Sequence, residues 1–204
     1  MKFLHSKSRL KSVSDGVFAF AATLMVVNIG ANTVITSFRE ELPNFLSFAV
    51  SFFVMMAIWK IHYNYFRRTD FIDNWIITLN MILLFTVLFY IFPIRSLIST
   101  GYGQNRISVE NFSGIFQMYS LGFLLIFLCY SLMYLKAYKN DKNLLLLFYC
   151  RHFLMFVIVA SISFILATFK LGLFIGLPGF IYALLGPICY FHSVRFHKKY
   201  NLEH

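Results

Sequence analysis

Acidic side chains are scarce in this sequence: Asp and Glu contribute 8 of 204 residues, and charged residues of all kinds make up 13%. A soluble domain carries about 25% charged residues. The three cysteines, Cys129, Cys150 and Cys189, lie in apolar stretches without a CxxC spacing, which indicates neither a disulfide framework nor a zinc site. The sequence also lacks an HExxH motif, a glycine-rich phosphate loop and a GxSxG motif, so we expect no enzyme and no cofactor.

Apolar and aromatic residues dominate the sequence. Hydrophobic residues make up 59% of the chain and aromatic residues 20%, including 26 Phe and 12 Tyr. A soluble fold of this length cannot bury so many large apolar side chains. The composition therefore predicts an all-α integral membrane protein, in which residues 1–204 form a single transmembrane domain.

Six apolar stretches are each long enough to cross a bilayer as a helix, which takes about 20 residues. We expect the first span to open directly after Asp15, the third to end near Pro93, and proline and glycine to break the sixth. The predicted spans cover residues 16–35, 43–59, 75–94, 112–135, 144–169 and 171–194.

The basic residues are distributed unevenly about these spans. Fourteen of the 18 Lys and Arg residues fall on the side that holds both termini. Because cytoplasmic loops carry an excess of Lys and Arg, we predict that both termini are cytoplasmic and that the chain is a multi-pass protein of the cell membrane. The net charge of +10 is then a signal of topology and indicates no nucleic-acid partner.

Several polar side chains lie where the chain is otherwise apolar, and such residues are costly in a membrane. Asp15 either helps Ser14 to cap the first helix, or forms a buried network with Arg9 and His62. Asn80 lies within the third span, where we expect its amide to bond to a neighbouring helix.

The first span also carries an apolar stripe at helical spacing, with Thr23 beside it. Such a stripe is either a packing surface or a narrow hydrophobic constriction on the axis of an oligomer, where dewetting controls passage. No span has the broad polar face that a wide aqueous channel needs. The stripe consists of Val13, Val17, Phe20, Leu24, Val27 and Ala31.

Two segments resemble the transmembrane protein 175 family of potassium channels. Residues 9–27 read Arg-Leu-Lys-Ser-Val-Ser-Asp-Gly-Val-Phe-Ala-Phe-Ala-Ala-Thr-Leu-Met-Val-Val. They are similar to a family signature of an arginine, three residues, Phe-Ser-Asp-Gly-Val-Phe-Ala-Ile and a later Thr-Leu. Residues 59–66, Trp-Lys-Ile-His-Tyr-Asn-Tyr-Phe, resemble the family's Trp-x-x-His-His-x-x-Phe. The likeness covers about the first 95 residues, and Phe20 stands where the family usually has Ile.

This resemblance implies a homotetramer of six-span subunits in which the first helix of each subunit lines a central pore. By position, the residues that face the pore would be Phe20, Thr23, Leu24 and Val27. The residues that brace the first helix would be Arg9, Ser14, Asp15, Trp59, His62 and Asn80.

The predicted function is passive potassium conduction through a hydrophobic constriction, as a leak channel. The expected partners are further copies of the chain, the lipid bilayer and the potassium ion, with no metal site apart from the permeating ion. Two alternatives stay open. One is a proton-coupled transporter of small solutes that uses Asp15 and His62, and the other is a nonconducting membrane scaffold in which Phe20 closes the axis.

Overall fold

A computed structural model describes residues 6–30, 38–101 and 108–200 of the chain. Within these residues all regular secondary structure is helical. Six helical stretches are long and apolar enough to cross a membrane, which confirms the prediction of an all-α six-span protein. The six stretches are Lys7–Val27, Asn44–Arg68, Asn74–Ile94, Val109–Asp141, Leu144–Thr168 and Leu177–Tyr200.

The helices group into two compact units, Met1–Ser108 and Val109–His204. The first unit contains three long helices: α1 (Lys7–Gly30), α2 (Phe38–Arg68) and α3 (Asn74–Gly101). The second unit contains α4 (Val109–Asp141), α5 (Leu144–Thr168), the short α6 (Leu177–Phe180) and α7 (Leu185–Tyr200). Two 3₁₀ turns, Leu173–Ile175 and Ile181–Leu184, connect α5, α6 and α7.

In the first unit, each of the three helices packs against the other two. Helix α1 buries a narrow face in this unit. The spacing of the buried residues, three or four apart, is that of a single helix face. They are Ser14, Phe18, Ala21 and Met25.

The prediction of where the first span begins is wrong. Helix α1 begins at Lys7 and not after Asp15, because residues 7–13 contain no proline or glycine to stop the helix. Ser14 therefore lies seven residues inside the helix and does not cap it; its hydroxyl donates to the carbonyl oxygen of Leu10 at 2.8 Å. The third span ends at Ile94, which confirms the prediction of an end near Pro93, although helix α3 itself continues to Gly101 because a membrane helix tolerates the loss of the hydrogen bond that proline removes.

In the second unit, α4 and α5 form an antiparallel pair joined by a short turn. Asn143 caps α5, because its side-chain oxygen accepts from the backbone N–H of Leu145 at 2.9 Å. The predicted break in the sixth span is confirmed, but the span begins at Leu177 and not at Leu171. Residues 171–176 instead form a tight connection in which Gly172 has a φ of 64°, and a Cβ there would lie 2.7 Å from the side chain of Leu177.

Candidate functional site

A chain of buried hydrogen bonds links the three helices of the first unit. The imidazole Nε2 of His62 on α2 lies 2.7 Å from Oδ1 of Asn80 on α3. Nδ2 of Asn80 donates to Oγ of Ser14 on α1 at 3.0 Å, and Ser14 donates in turn to the Leu10 carbonyl oxygen. All three side chains are completely buried. One amide thus connects α1 to α2 through α3.

The direction of each hydrogen bond in this buried series follows from the chemical groups involved. An amide oxygen only accepts, so Nε2 of His62 carries the hydrogen in its bond to Asn80. The hydroxyl of Ser14 uses its own hydrogen on Leu10, so it accepts from Asn80. Each of these three hydrogen bonds has a defined donor and acceptor, and together they fit one relative placement of the three helices, while the buried Nδ1 of His62 has no hydrogen-bond partner among the described residues. Such a buried network specifies geometry as well as adding stability.

A second contact joins α1 directly to α2. The indole Nε1 of Trp59 donates to Oδ1 of Asp15 at 2.9 Å. The imidazole of His62 also packs against two aromatic rings. Its centroid is 5.4 Å from that of Phe18 on α1 and 4.9 Å from that of Phe66 on α2. We call the set of Ser14, Asp15, Trp59, His62 and Asn80 the polar brace.

The polar brace contains five of the six residues that the sequence singled out for this role. Arg9 is not brought into it: this residue is exposed, and its backbone N–H bonds to Oγ of Ser6. Because α1 begins at Lys7, Arg9 lies in the first turn, more than one turn before Ser14. Asp15 and His62 do not form the pair that a proton-coupled carrier would use, since the hydrogen bond of Asp15 is to Trp59 and that of His62 is to Asn80.

The opposite face of α1 is exposed among the described residues of its unit. Phe20 is 57% exposed, Val27 is 60% exposed, and Thr23 between them is also exposed. Leu24 is half-buried at the edge of this face, and Ala31 lies outside the described residues. We call Gly16, Phe20, Thr23 and Val27 the open face.

The open face is rotated from the stripe that the sequence suggested. The structure exposes Gly16 and Ala19 on the Thr23 side, whereas Val17 and Leu24 on the other side are half-buried. The buried residues Ser14, Phe18, Ala21 and Met25 define the inner face of α1, and the exposed residues lie opposite to them. An apolar stripe alone does not distinguish the two faces of a helix that is apolar all round.

The hydroxyl of Thr23 has a fixed orientation on the open face. It donates to the carbonyl oxygen of Ala19, one turn earlier, at 3.1 Å. Its hydrogen is therefore occupied by its own helix, and the oxygen lone pairs are directed away from the helix. An oxygen of this kind is a suitable ligand for a hard cation. Within the described residues, no group of three His, Cys, Asp or Glu side chains is placed to hold a metal ion.

Residues 9–90 match the model of a protein family described as the endosomal/lysosomal potassium channel TMEM175. This segment runs from the first turn of α1 into α3 and includes the whole polar brace. A protein named as a potassium channel, from Marivirga tractuosa, is 32% identical to the chain over 154 residues. That alignment covers 68% of the chain and 62% of the relative, so the chain spans less than two thirds of this relative's length.

Two solved structures have the same fold over nearly the full chain. The crystal structure of a variant of the potassium channel MtTMEM175, bound to a nanobody–MBP fusion, matches with a TM-score of 0.76 and 27% identity. The match covers 96% of this chain and 95% of that one. A lysosomal potassium-selective channel TMEM175 homolog from Chamaesiphon minutus shares the fold with a TM-score of 0.65 and 19% identity, over 93% of this chain and 97% of that one. The six spans, the sequence matches and the shared fold together establish that the chain is a multi-pass protein of the cell membrane and belongs to the TMEM175 family.

Proposed function

We propose that four copies of this chain form a potassium-permeable channel in which α1 of each copy lines a central pore. Ions pass down their gradient without coupling to another reaction. The two-sided character of α1 is the observation that carries this proposal. One face is held by the polar brace, and on the other face Phe20, Thr23 and Val27 are exposed in the described part of the unit. The relatives that carry the name potassium channel support the choice of ion.

In this proposal, Phe20 and Val27 form two apolar rings, one on either side of Thr23. Apolar rings restrict passage because a narrow apolar pore excludes water, so an ion must lose part of its hydration shell there. The lone pairs of the Thr23 hydroxyl compensate for part of that loss, since the hydroxyl hydrogen is already bonded to Ala19. A potassium ion loses its water at lower cost than sodium does, so this combination favours potassium.

Leu24 has a secondary role in this arrangement. Because it is half-buried at the edge of the open face, it packs between neighbouring copies more than it lines the axis. From the sequence, Leu24 is predicted to face the pore as directly as Phe20 and Val27 do. We therefore expect substitutions of Phe20 or Thr23 to alter conduction more than substitution of Leu24.

The polar brace sets the rotation of α1 in the proposed pore. Successive residues of a helix are about 100° apart around its axis. A rotation of that size in one direction would remove Phe20 from the axis and bring the buried Ala21 there instead. The hydrogen bonds that Ser14 accepts from Asn80 and Asp15 accepts from Trp59 resist such a rotation, because each needs its partner at a fixed distance.

Reconstitution in liposomes tests the proposal. Potassium flux is measured for the parent chain and for Phe20→Ala, Thr23→Ala and Leu24→Ala, with Phe85→Ala as the control. Phe85 is an exposed phenylalanine on α3 of the same unit and lies outside the open face. We expect several-fold changes for Phe20→Ala and Thr23→Ala, a smaller change for Leu24→Ala and none for Phe85→Ala. Flux that is indifferent to all three α1 changes contradicts the pore.

The oligomeric state in mild detergent is an independent test, because a stable monomer leaves no axis for α1 to line. The same experiments also distinguish the alternatives. A parent that does not conduct, together with a conducting Phe20→Ala, indicates a closed scaffold. Saturable, pH-driven uptake that is lost in Asp15→Asn indicates a proton-coupled carrier, although the separate hydrogen bonds of Asp15 and His62 offer it little support.

A further inference from the structure

A basic pocket lies between α5 and α7 of the second unit. Its volume is about 540 Å³. Arg151 of α5 and Arg195 and Lys199 of α7 line it, together with the imidazole of His192. The two α7 cations are four residues apart and so project from the same side of that helix. Three permanent positive charges are thus gathered around one cavity.

These cations lack acidic partners within the part of the chain that the structure describes. Two salt bridges in that part of the chain join Lys7 to Asp70 and Lys170 to Glu110, and neither includes a cation of the pocket. The guanidinium of Arg151 packs over the ring of Phe196, 6.0 Å from its centroid. No carboxylate lines the pocket. Like charges around a cavity repel one another, so an anionic ligand would bind favourably and reduce that repulsion.

The rest of the pocket is apolar. Met155 of α5 and Ile188 and Phe191 of α7 form the wall that continues from the cations toward the middle of the two spans. The side chain of Phe191 is exposed. A free inorganic anion would use only the basic end of such a pocket. A ligand with an anionic head and a hydrocarbon body would use both ends.

The depth of the cations suits the headgroup layer of a membrane. Arg151 is seven residues after the start of α5, which corresponds to about 10 Å along the helix. Arg195 and Lys199 lie in the last two turns of α7. These helix ends are on the side that the basic residues predict to be cytoplasmic. Basic pockets between spans on that side bind the headgroups of anionic lipids.

We propose that this pocket binds an anionic phospholipid from the adjacent leaflet. The lipid phosphate lies between Arg151, Arg195 and Lys199, and an acyl chain lies along Met155 and Ile188. This site is separate from the open face of α1 and does not depend on the proposed conduction. It gives the second unit a ligand of its own.

Native mass spectrometry of the full chain in detergent tests the site, with phosphatidylglycerol and phosphatidylcholine as probes. The first variant combines Arg151→Gln, Arg195→Gln and Lys199→Gln. The matched control combines Lys139→Gln, Lys142→Gln and Lys198→Gln, three exposed lysines on the same predicted side that do not line the pocket. A cation that faces the lipid contributes a factor of about five in affinity. We therefore expect phosphatidylglycerol retention to fall by at least about fivefold in the first variant and to stay at the parent level in the control.

Two further variants keep the test decisive. The pair Arg195→Gln and Lys199→Gln leaves Arg151 on Phe196, so a loss of binding there is not caused by the loss of that packing contact. Met155→Trp fills the apolar wall without removing charge, and we expect it to lower phosphatidylglycerol retention as well. Equal losses in the pocket variant and the lysine control overturn the site, as does retention that is unchanged in all variants. If millimolar inorganic phosphate displaces the lipid and Met155→Trp does not change phosphatidylglycerol retention, the proposal of a lipid ligand is overturned and a simple anion site is indicated.

Discussion

The contacts that join the helices inside the first unit differ from those that join the helices inside the second unit. In the first unit, a single amide, Asn80, joins α1 and α2 through buried hydrogen bonds to Ser14 and His62. In the second unit, buried serine hydroxyls of α4, such as Ser113 and Ser120, also bond to α5, but a cluster of aromatic rings fills much of the space between the two helices. Phe127 is at the centre of this cluster, with ring centroids 4.6 Å from Phe156 and 5.6 Å from Phe153.

The difference matters because hydrogen bonds and ring contacts constrain a helix differently. A hydrogen bond requires its two atoms within a few tenths of an ångström and so fixes helix rotation. Apolar contacts tolerate repacking as long as the volume is filled. The family match at residues 9–90 coincides with the unit that the polar brace fixes. In that unit, the buried hydrogen bonds thus fix the rotation of the helix that is proposed to line the pore.

The largest loss of stability is expected from Phe127→Ala in the aromatic cluster. Removing a buried phenylalanine leaves a cavity and costs about 3 kcal/mol. Because the cluster does not position α1, we expect potassium flux per assembled channel to stay at the parent level. Thermal unfolding in detergent and normalised liposome flux measure the two effects. Phe174→Ala, at a fully exposed phenylalanine of the same unit, is the control and should alter neither.

A smaller loss of stability but a larger loss of flux is expected from Asn80→Leu. The leucine leaves the Nε2 hydrogen of His62 without its acceptor and Ser14 without its donor, at a cost of about 2 kcal/mol. Thr78→Val is the control. It removes a polar group from an exposed position of the same helix, where the hydroxyl donates to the carbonyl oxygen of Asn74 in its own helix. If Asn80→Leu destabilises the chain yet conducts like the parent, the brace does not set the pore.

The sequence predicted the members of the polar brace better than it predicted their connections. Asn80 and His62 stand out because a polar group within an apolar helix needs a partner, and a polar residue within an apolar stretch can be recognised from the sequence alone. Arg9 was wrongly included because its distance from Ser14 depends on where α1 begins, and residues 7–13 carry no strong start signal. The pocket of the second unit was missed because Arg151 and Arg195 are 44 positions apart, and only the packing of α5 on α7 brings them together.

The contact between Trp59 and Asp15 is a weaker part of the brace. Trp59→Phe keeps the ring but removes the indole hydrogen from Asp15, which costs about 1 kcal/mol because the carboxylate is only half-buried. Trp75→Phe, at an exposed tryptophan on α3, is the matched control. We expect a modest loss of thermal stability for the first variant and none for the second. Equal effects would mean that the indole hydrogen bond does not hold α1.

The smallest effect is expected at the salt bridge between Lys7 at the start of α1 and Asp70 in the turn between α2 and α3. The hydrogen bond and the charge of Lys7 lower the pKa of the Asp70 carboxyl. A lowered carboxyl pKa stabilises the folded chain above the ordinary pKa, and this stabilisation is lost as the pH falls through the folded-state value. We therefore expect Asp70→Asn to lower the unfolding temperature slightly at neutral pH, and we expect this effect to shrink below the ordinary pKa of about 4 and to vanish only below the lowered folded-state pKa.

A double-mutant cycle isolates this salt bridge, because Asp70→Asn should have no effect once Lys7→Gln has removed the partner. Salt should reduce the neutral-pH effect, since the Asp70 side chain is 95% exposed and its charge is screened. An effect as large as that of Asn80→Leu would reverse the comparison within the first unit. It would mean that an exposed pair outside the membrane, and not the buried amide, holds α1 against its neighbours. The burial of Asn80 and the exposure of Asp70 argue for the opposite order.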